Sequence, residues 1–301
     1  MENTYHIPVL LTESVDHLVH NPDGIYLDLT FGGGGHSKYL LSKLSEKGRL
    51  FSFDKDRHAL ENTIDDQRFT LIHHNFRYAK QFVTYSVGFE IDGILADLGI
   101  SSYQINENDR GFAHRMDGPF DMRMDIDAKK SAADIINDYT EAELLRIFRS
   151  YGEIKNAFKL TTSIINTRRN IPIKTVEDFK TAINNCIPKS ESARYLSQVF
   201  QALRIEVNQE LKDLEILLAD APEILKPGGR ISVISYHSLE DRLVKNFLQT
   251  GNTEGQLVKD FFGNSITPFS SEFKKPIVPG EKEITNNPRS RSAKLRIGIK
   301  K

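Results

Sequence analysis

The chain has 301 residues, of which 39% are hydrophobic and 27% charged, a composition typical of a globular protein with one large or two unequal domains. The formal net charge is −1, and the single cysteine, Cys186, excludes an intrachain disulfide and a cysteine-rich metal site. No apolar run approaches the ~18 residues of a membrane span, and the N-terminus lacks the basic and apolar regions of a signal peptide. We therefore expect a cytoplasmic protein with no membrane partner and no bound metal, and leave its oligomeric state open.

Four β-rich runs alternate with helical patterns in the first hundred residues. The predicted strands are GIYLDLTF, RLFSFD, FTLIHHNF and IDGILADLG, which begin at Gly24, Arg49, Phe69 and Ile91. Helical patterns in HSKYLLSKLSEKG and RHALENTID separate the first three strands. Strands that alternate with helices at this spacing predict a parallel, doubly wound α/β sheet.

The alternation stops after Asp97, and the next clear strand, RISVISY, begins at Arg230. Most of the intervening sequence has a helical pattern, including TEAELLRIFRSYG, where Thr140 and Glu143 fit a capping box, and one long helix that ends in APEIL. We predict an all-helical domain over 106–200, inserted into an α/β domain formed by 1–105 and 201–301. A helix, SLEDRLVKNFL, and a final strand, AKLRIGIK, complete the α/β domain.

Four consecutive glycines, Gly32 to Gly35, follow the first strand and open a helix, at the edge where open parallel sheets bind ligands. Glycines there let the backbone approach a ligand closely, and a flexible turn is the alternative. A phosphate-binding P-loop requires G-K-[ST] at the helix start, which is absent. The dinucleotide fingerprint G-x-G-x-x-G is incomplete, because Ser37 or Lys38 stands at its third glycine. A shorter adenosine-containing ligand fits better, and S-adenosylmethionine is the common one.

Three further residues follow predicted strands at the same edge. Asp54 ends the second strand, where it can accept hydrogen bonds from ribose hydroxyls, although an aspartate in this position also commonly caps a helix. Phe76 follows the third strand, where it either lines an adenine pocket or packs in the core. Asp97 ends the fourth strand, at the switch point where a substrate meets a cofactor.

Seven stretches in chain order carry a more specific resemblance. They are HIPVLLTESVDHL, DLTFGGGGHS, ADLGISSYQIN, RGFAHRMDGPFDMRMD, FQALRIEVNQEL, LKPGGRISVISYHSLEDRLVK and NPRSRSAKLR. From about His6 to the C-terminus, the sequence resembles the bacterial cytosine-N4 methyltransferases of small-subunit ribosomal RNA. The resemblance implies a Rossmann-like methyltransferase domain with an inserted all-helical domain that helps to recognise RNA.

The resemblance also implies a reaction and a set of cofactor contacts. The reaction is methyl transfer from S-adenosylmethionine to the exocyclic amine of a cytidine in 16S rRNA of the small ribosomal subunit, in the decoding centre near the P site. Carried over position by position, the cofactor contacts fall on Gly34, Gly35, His36, Asp54, Phe76, Asp97 and Gln104.

Methyl transfer to a cytosine amine requires hydrogen-bond acceptors near the reacting nitrogen, because the ring delocalises the nitrogen lone pair. Candidate catalytic residues are Asp97, Ser101 and His237. Ser101 sits where other amino-methyltransferases place a short substrate-binding motif, whose Asn/Asp/Ser-Pro-Pro-aromatic form is absent here. His237 has an alternative place in a helix cap, since Ser238 and Asp241 are spaced as in a capping box.

Two segments are candidates for RNA contact. Residues 274–301 contain nine Lys and Arg against two Glu, a net charge of +7 that leaves −8 for the rest of the chain. This segment is either a solvated basic end or a surface on which Arg289, Arg291 and Lys294 reach ribosomal RNA phosphates. The stretch RGFAHRMDGPFDMRMD holds three Arg and three Met around a Gly-Pro turn, which is typical of an RNA-binding loop or of a linker.

Other function classes stay open. A non-catalytic small-subunit assembly factor would keep the methyltransferase fold and bind RNA without transferring methyl groups. An oxidoreductase is disfavoured by the incomplete glycine fingerprint. A methyltransferase of DNA or protein would share the fold, because a fold does not determine the acceptor.

Overall fold

The computed structural model describes residues 8–88 and 90–301, and it divides the chain into two compact units. The first unit comprises Met1–Gly99 and Leu211–Lys301, as far as they are described, and the second is Ile100–Glu210. The first seven residues, including His6 of the resembling stretch, lie outside the described part. Among the described helices, none combines the length and the apolar character needed to cross a membrane.

The first unit is built on a seven-stranded sheet with the order β3-β2-β1-β4-β5-β7-β6. Strands β1 to β5 are parallel, whereas β7 runs antiparallel to both β5 and β6. This arrangement confirms the predicted doubly wound, Rossmann-like α/β fold. The strands are β1 Ile25–Asp28, β2 Arg49–Asp54, β3 Phe69–His73, β4 Ile91–Asp97, β5 Leu225–Ser235, β6 Phe269–Ser271 and β7 Lys294–Lys300.

The sheet is covered on both faces, which explains why its strands read as apolar runs. Side chains of neighbouring residues in a strand point to opposite faces. Leu27 and Ile94 belong to one core cluster, while their neighbours Tyr26 and Leu95 belong to the other. Because β1 to β5 are parallel, their C-terminal ends lie at one edge of the sheet. Polar residues at this edge can face a ligand.

Helices surround the sheet and build the second unit. They are α1 Leu11–Leu18, α2 Gly35–Lys43, α3 Ala79–Phe82, α4 Ser102–Asn106, α5 Ala132–Asp138, α6 Glu141–Ser150, α7 Ala157–Arg168, α8 Val176–Ile183, α9 Ser192–Asn208, α10 Glu210–Ile224, α11 Ser238–Thr250 and α12 Glu281–Asn286. The helix predicted in RHALENTID is instead a short 3-10 helix, Arg57–Asn62, because the chain turns to an extended conformation at Thr63.

The second unit packs helices α5 to α9 around its own core. The predicted capping box at the start of α6 is confirmed, since Thr140 N–H donates to Glu143 Oε2 over 2.8 Å and Glu143 N–H donates to Thr140 Oγ1 over 3.3 Å. The prediction of one long helix up to APEIL is wrong. The chain leaves the helical conformation at Gln209, where φ is +51°, so that α9 and α10 are separate helices.

The stretch RGFAHRMDGPFDMRMD contributes to the core of the second unit more than to its surface. Met122 and Met124 are buried in that core. The buried Arg110 guanidinium donates to the carbonyls of Arg123 and Met124 over 2.9 and 3.0 Å, and Arg123 forms a two-pronged ion pair with Asp121. The prediction of an RNA-binding loop is therefore wrong for these side chains, because core packing and internal hydrogen bonds already occupy them.

Candidate functional site

The glycine loop between β1 and α2 needs glycine for steric reasons that differ along the loop. Gly34 caps α2 with φ of +76°, and a Cβ there would lie 2.9 Å from the Phe31 ring. A Cβ on Gly35 would lie 2.2 Å from Pro8 Cγ, whereas a Cβ on Gly33 would meet nothing within 4 Å. The loop thus combines tightly packed glycines with an open backbone at Gly33, and it can let a ligand approach the main chain.

Asp54, at the end of β2, is hydrogen-bonded to the glycine loop. Its Oδ2 accepts the Gly32 N–H over 2.8 Å, and its Oδ1 accepts the Asp56 N–H over 2.8 Å. Burial raises the pKa of Asp54 to about 6, although both backbone N–H groups favour the charged form. Each carboxylate oxygen keeps a lone pair for a further donor, so that Asp54 can accept hydrogen bonds from a bound hydroxyl group.

Asp97, at the end of β4, lies among groups from three neighbouring elements. Tyr236, directly after β5, donates its hydroxyl hydrogen to Asp97 Oδ1 over 2.8 Å. The Asp97 backbone N–H donates to Thr30 Oγ1 over 2.6 Å. Burial raises the pKa of Asp97 to about 6; His36 and the Tyr236 hydroxyl favour the charged form, while the charge of Asp28 opposes it.

His36, on the first turn of α2, is buried between a carbonyl and a carboxylate. Its Nε2 lies 3.1 Å from Val9 O, and its Nδ1 lies 3.7 Å from Asp97 Oδ2. A carbonyl oxygen only accepts hydrogen bonds, so Nε2 carries a proton. Nδ1 of His36 and Oδ2 of Asp97 therefore face each other at the ligand edge of the sheet.

Two residues of this edge were absent from the sequence prediction: Asp28 and Tyr236. Asp28 is fully buried, accepts from Ser37 Oγ over 2.6 Å, and has its pKa raised by burial. Both had a signal in the sequence. Asp28 is an acidic residue inside an otherwise apolar strand, and Tyr236 directly follows the strand that neighbours Asp97.

His237 caps α11, one residue earlier than predicted. The capping box joins His237 and Glu240, because Glu240 N–H donates to His237 Nδ1 over 3.4 Å and Glu240 Oε2 accepts the His237 N–H over 3.4 Å. The predicted box of Ser238 and Asp241 is wrong, since Asp241 instead pairs with residues of β7. The buried His237 Nε2 lies 3.2 Å from Glu240 Oε1 but is not aligned for a hydrogen bond with it or with another described residue.

The remaining predicted residues lie on two different units. Phe76 begins a short 3-10 helix after β3 and packs, half-buried, against the core of the first unit. Ser101 and Gln104 belong to the second unit, where they form the capping box of α4. Gln104 N–H donates to Ser101 Oγ over 3.2 Å, and Gln104 Oε1 accepts the Ser101 N–H over 3.1 Å.

The basic residues near the C-terminus are not equivalent. Arg289 and Arg291 are exposed in a short 3-10 helix, Pro288–Ser292. Lys294 Nζ instead lies 3.0 Å from Asp241 Oδ2, and Arg296 Nε lies 2.6 Å from Asp241 Oδ1. Burial favours the neutral form of Asp241, but these two hydrogen bonds prevail and lower its pKa. Lys294 is therefore partly committed to the fold, whereas the side chains of Arg289 and Arg291 are exposed to solvent.

Comparison with known proteins identifies the family of the chain. The model of the MraW methylase family matches residues 3–301. A curated relative from Bacteroides fragilis, "Ribosomal RNA small subunit methyltransferase H", is 52% identical over 300 residues, which cover 100% of this chain and 99% of the relative. A relative of the same name from Flavobacterium johnsoniae is 50% identical over 98% of both chains.

Solved structures offer more distant likenesses. A putative rRNA methylase from Clostridium thermocellum matches with a TM-score of 0.44 and 16% identity over 98% of this chain and 100% of that one. A putative methyltransferase from Streptococcus mutans in complex with SAH matches with a TM-score of 0.43 and 15% identity over the same shares. The full-length family match and the identity to the curated relatives are decisive, and the chain belongs to the MraW methylase family.

Proposed function

We propose that this chain transfers the methyl group of S-adenosylmethionine to the N4 amine of a cytidine in 16S rRNA of the small ribosomal subunit, in the decoding centre near the P site. The observation that carries the proposal is the 52% identity, over essentially the whole of both chains, to relatives named as small-subunit ribosomal RNA methyltransferases. The cytidine N4 acceptor follows from the resemblance of the motif stretches. Ribosomes as substrate place the activity in the cytoplasm.

The residues of the glycine loop and strand ends fit S-adenosylmethionine. This cofactor supplies a methyl group that is activated by the sulfonium charge. The backbone of Gly34, Gly35 and His36 would hold the donor. The fold itself requires glycine at the first two positions, because side chains there would collide with Phe31 and Pro8. The Asp54 carboxylate would accept hydrogen bonds from the ribose hydroxyls. We assign Phe76 and Gln104 to cofactor contact on the motif resemblance.

The acceptor amine requires a group that takes up its hydrogens as the methyl group arrives, and Asp97 suits this role. With a pKa of about 6, its carboxylate is mostly ionised at neutral pH. Tyr236 fixes Oδ1 of the carboxylate, and Oδ2, which faces His36, would take up the proton. The protein would otherwise act by positioning, since in-line transfer needs the nitrogen ~3–3.5 Å from the methyl carbon.

Ser101 and His237 are proposed as further contacts to the substrate. The buried His237 Nε2 without an aligned partner supports this role, because buried polar atoms normally find a partner when the site is complete. The Ser101 hydroxyl accepts the Gln104 N–H and still has its own hydrogen to donate.

RNA recognition is assigned to both parts of the chain. We propose that the helical part, over 106–200, helps to recognise RNA, while the parts over 1–105 and 201–301 hold the cofactor. Arg289 and Arg291 are exposed and would contact phosphates, which positions an RNA without reading its sequence. A cytidine in folded RNA would be turned out of its stack to reach the site.

The test is a transfer assay with purified chain, methyl-labelled S-adenosylmethionine and small ribosomal subunits that lack the modification. The proposal predicts label in 16S rRNA and none in ribosomal proteins or DNA. Subunits that are bound but not labelled, with cofactor binding intact, would instead favour a non-catalytic assembly factor. Label in protein would identify a different acceptor.

A further inference from the structure

A short hairpin after α11 exposes two aromatic rings. We call residues 257–266 the Phe hairpin. Its two arms pair through a β-bridge between Lys259 and Ser265, and Ile266 N–H donates to Val258 O over 2.9 Å. At its tip, Phe261 is 98% exposed and Phe262 is 85% exposed. Rings of this size are normally buried, so that two of them at one tip indicate a binding surface.

The tip is an ordered turn that Asp260 holds together. Asp260 Oδ1 accepts the backbone N–H groups of Phe262 and Asn264 over 2.9 and 2.8 Å, and its Oδ2 accepts the Asn264 side-chain amide over 3.1 Å. Gly263, with φ of +87°, completes the turn by donating its N–H to Asp260 O over 3.0 Å. The two rings are perpendicular, with centroids 5.6 Å apart, and both side chains stay almost fully exposed. The turn therefore holds open ring faces in the solvent.

The charges of the tip suit an anion. Asp260 is the sole acidic residue between 257 and 271, and its oxygens are turned inward to the backbone of the tip. Lys259 precedes it, is exposed, and forms no ion pair with residues 8–88 or 90–301. Lys259 therefore lies two residues before Phe261 in the chain, while hydrogen bonds within the turn engage the Asp260 carboxylate.

We propose that the Phe hairpin binds unpaired nucleotides of the RNA substrate, with bases stacked on Phe261 and Phe262 and a phosphate at Lys259; this inference rests on the proposed function. Base–aromatic stacking tolerates any sequence, because every base has a π-face. A protein partner is the alternative, because Leu257, Val258 and Ile266 of the hairpin are also exposed, and the sedimentation measurement below tests it. The open faces and the unpaired lysine together favour a single-stranded polyanion.

The first test compares RNA affinities of full-length variants. The probe is a fluorescently labelled, mixed-sequence single-stranded RNA of about a dozen nucleotides, followed by anisotropy. The double variant Phe261→Ala/Phe262→Ala is expected to raise the Kd about tenfold or more, since stacking is lost. The variant Phe261→Tyr/Phe262→Tyr keeps the rings and is expected to keep the affinity. Tyr85→Ala is the matched control, because Tyr85 is also 86% exposed but lies outside the hairpin.

A second measurement tests the contribution of Lys259 to RNA binding. Lys259→Gln is expected to lower the slope of log Kd against log salt concentration by about 0.7, the value for one phosphate contact on a single strand. Neither set of variants is expected to change the Kd for S-adenosylmethionine, and circular dichroism checks that the variants fold.

The outcomes separate this inference from the function on which it rests. If the wild type methylates rRNA and the double variant binds RNA equally well, the hairpin inference is overturned and the proposed function stands. Loss of self-association in sedimentation, with RNA affinity unchanged, would assign the hairpin to a second copy and would also overturn it. A wild-type chain that neither binds RNA nor transfers methyl groups would contradict both.

Discussion

Tyr236 donates its hydroxyl hydrogen to Oδ1 of Asp97 over 2.8 Å, so that the residue after β5 fixes the carboxylate at the end of β4. Burial and the nearby Asp97 charge raise the pKa of Tyr236 well above its ordinary value of 10.0, which keeps the hydroxyl protonated at any pH at which the chain works. The bond has a permanent direction, with tyrosine as donor and aspartate as acceptor. It therefore stabilises the ionised form of Asp97.

Tyr236→Phe removes this donor and should raise the pKa of Asp97 above about 6. We expect the acid limb of the pH profile of kcat/KM to move to higher pH by about one unit. The free energy of a hydrogen bond to a charged group corresponds to a pKa shift of about this size. At pH 8.5 the activity should be within a few-fold of wild type. An unchanged acid limb would show that Asp97 does not titrate in the reaction.

Asp97→Asn should stabilise the fold while it abolishes methyl transfer. The pKa of the folded-state carboxyl, about 6, is above its ordinary value of 3.8, so the folded chain holds this proton more tightly than the unfolded chain. The contribution of Asp97 to stability is therefore most favourable below pH ~4 and is lost as the pH rises through 6. At pH 7.5 the variant should gain about 1–3 kcal/mol in the free energy of unfolding, a gain that narrows towards pH 4.

Thermal unfolding at pH 7.5 and at pH 4 measures this gain in stability. Asp66→Asn is the control, because its effect on stability should have the opposite sign. Hydrogen bonds from Arg68 lower the pKa of Asp66 to about 2, so its removal should not stabilise the chain at any pH. If the Asp97→Asn variant unfolds at a lower temperature than the wild type at pH 7.5, the ionised Asp97 side chain is not a buried, partly uncompensated charge.

Gly33 and Gly35 form a matched pair within the glycine loop. Gly35→Ala places a methyl group against Pro8, so we expect a loss of about 1–3 kcal/mol in stability and weaker cofactor binding. Gly33→Ala places its methyl group in open space and should change stability by less than about 1 kcal/mol. Thermal unfolding and calorimetry with S-adenosylmethionine compare the two. Equal losses of stability from Gly33→Ala and Gly35→Ala would show that these two glycines do not differ in their packing.

Substitutions at Asp54 should affect cofactor binding, whereas substitutions at Arg289 and Arg291 should affect RNA binding. Asp54→Ala removes an acceptor and the hydrogen bond to Gly32, and it should raise the Kd for S-adenosylmethionine about tenfold or more. Arg289→Glu/Arg291→Glu reverses two exposed charges and should weaken RNA binding while the cofactor Kd stays unchanged. Calorimetry with each ligand decides, and equal effects of both changes on cofactor affinity would contradict this division.

Strands β1 to β5 were predictable because buried parallel strands read as apolar runs, and the glycine loop because its composition is unusual, whereas β6 was not predicted. The start of α11 at Ser238 was predicted, but its capping residue was predicted one position late, since the carboxylate of Asp241 is taken by Lys294 and Arg296, more than fifty residues further along the chain. No local pattern reports such a contact. The break at Gln209 was also hidden, because no glycine or proline marks it.

The candidate site likewise contains residues that the sequence predicted and contacts that only the structure revealed. Asp54 and Asp97 are visible in the sequence because each ends a strand. The approach of His36 to Asp97 and the hydrogen bond from Tyr236 depend on the order in which β1, β4 and β5 lie side by side. That order is a property of the whole sheet, which is why Tyr236 emerged only from the structure.

The most direct test of the account is the identity of the methylated nucleoside. Unmodified small subunits are incubated with methyl-labelled S-adenosylmethionine and either the wild type or Asp97→Asn, and the rRNA is digested to nucleosides for mass spectrometry. The account predicts label in N4-methylcytidine with the wild type and a loss of at least a hundredfold in rate, on the order expected for a lost proton acceptor, with Asp97→Asn. Label in any other nucleoside, or none despite intact cofactor binding, would contradict it.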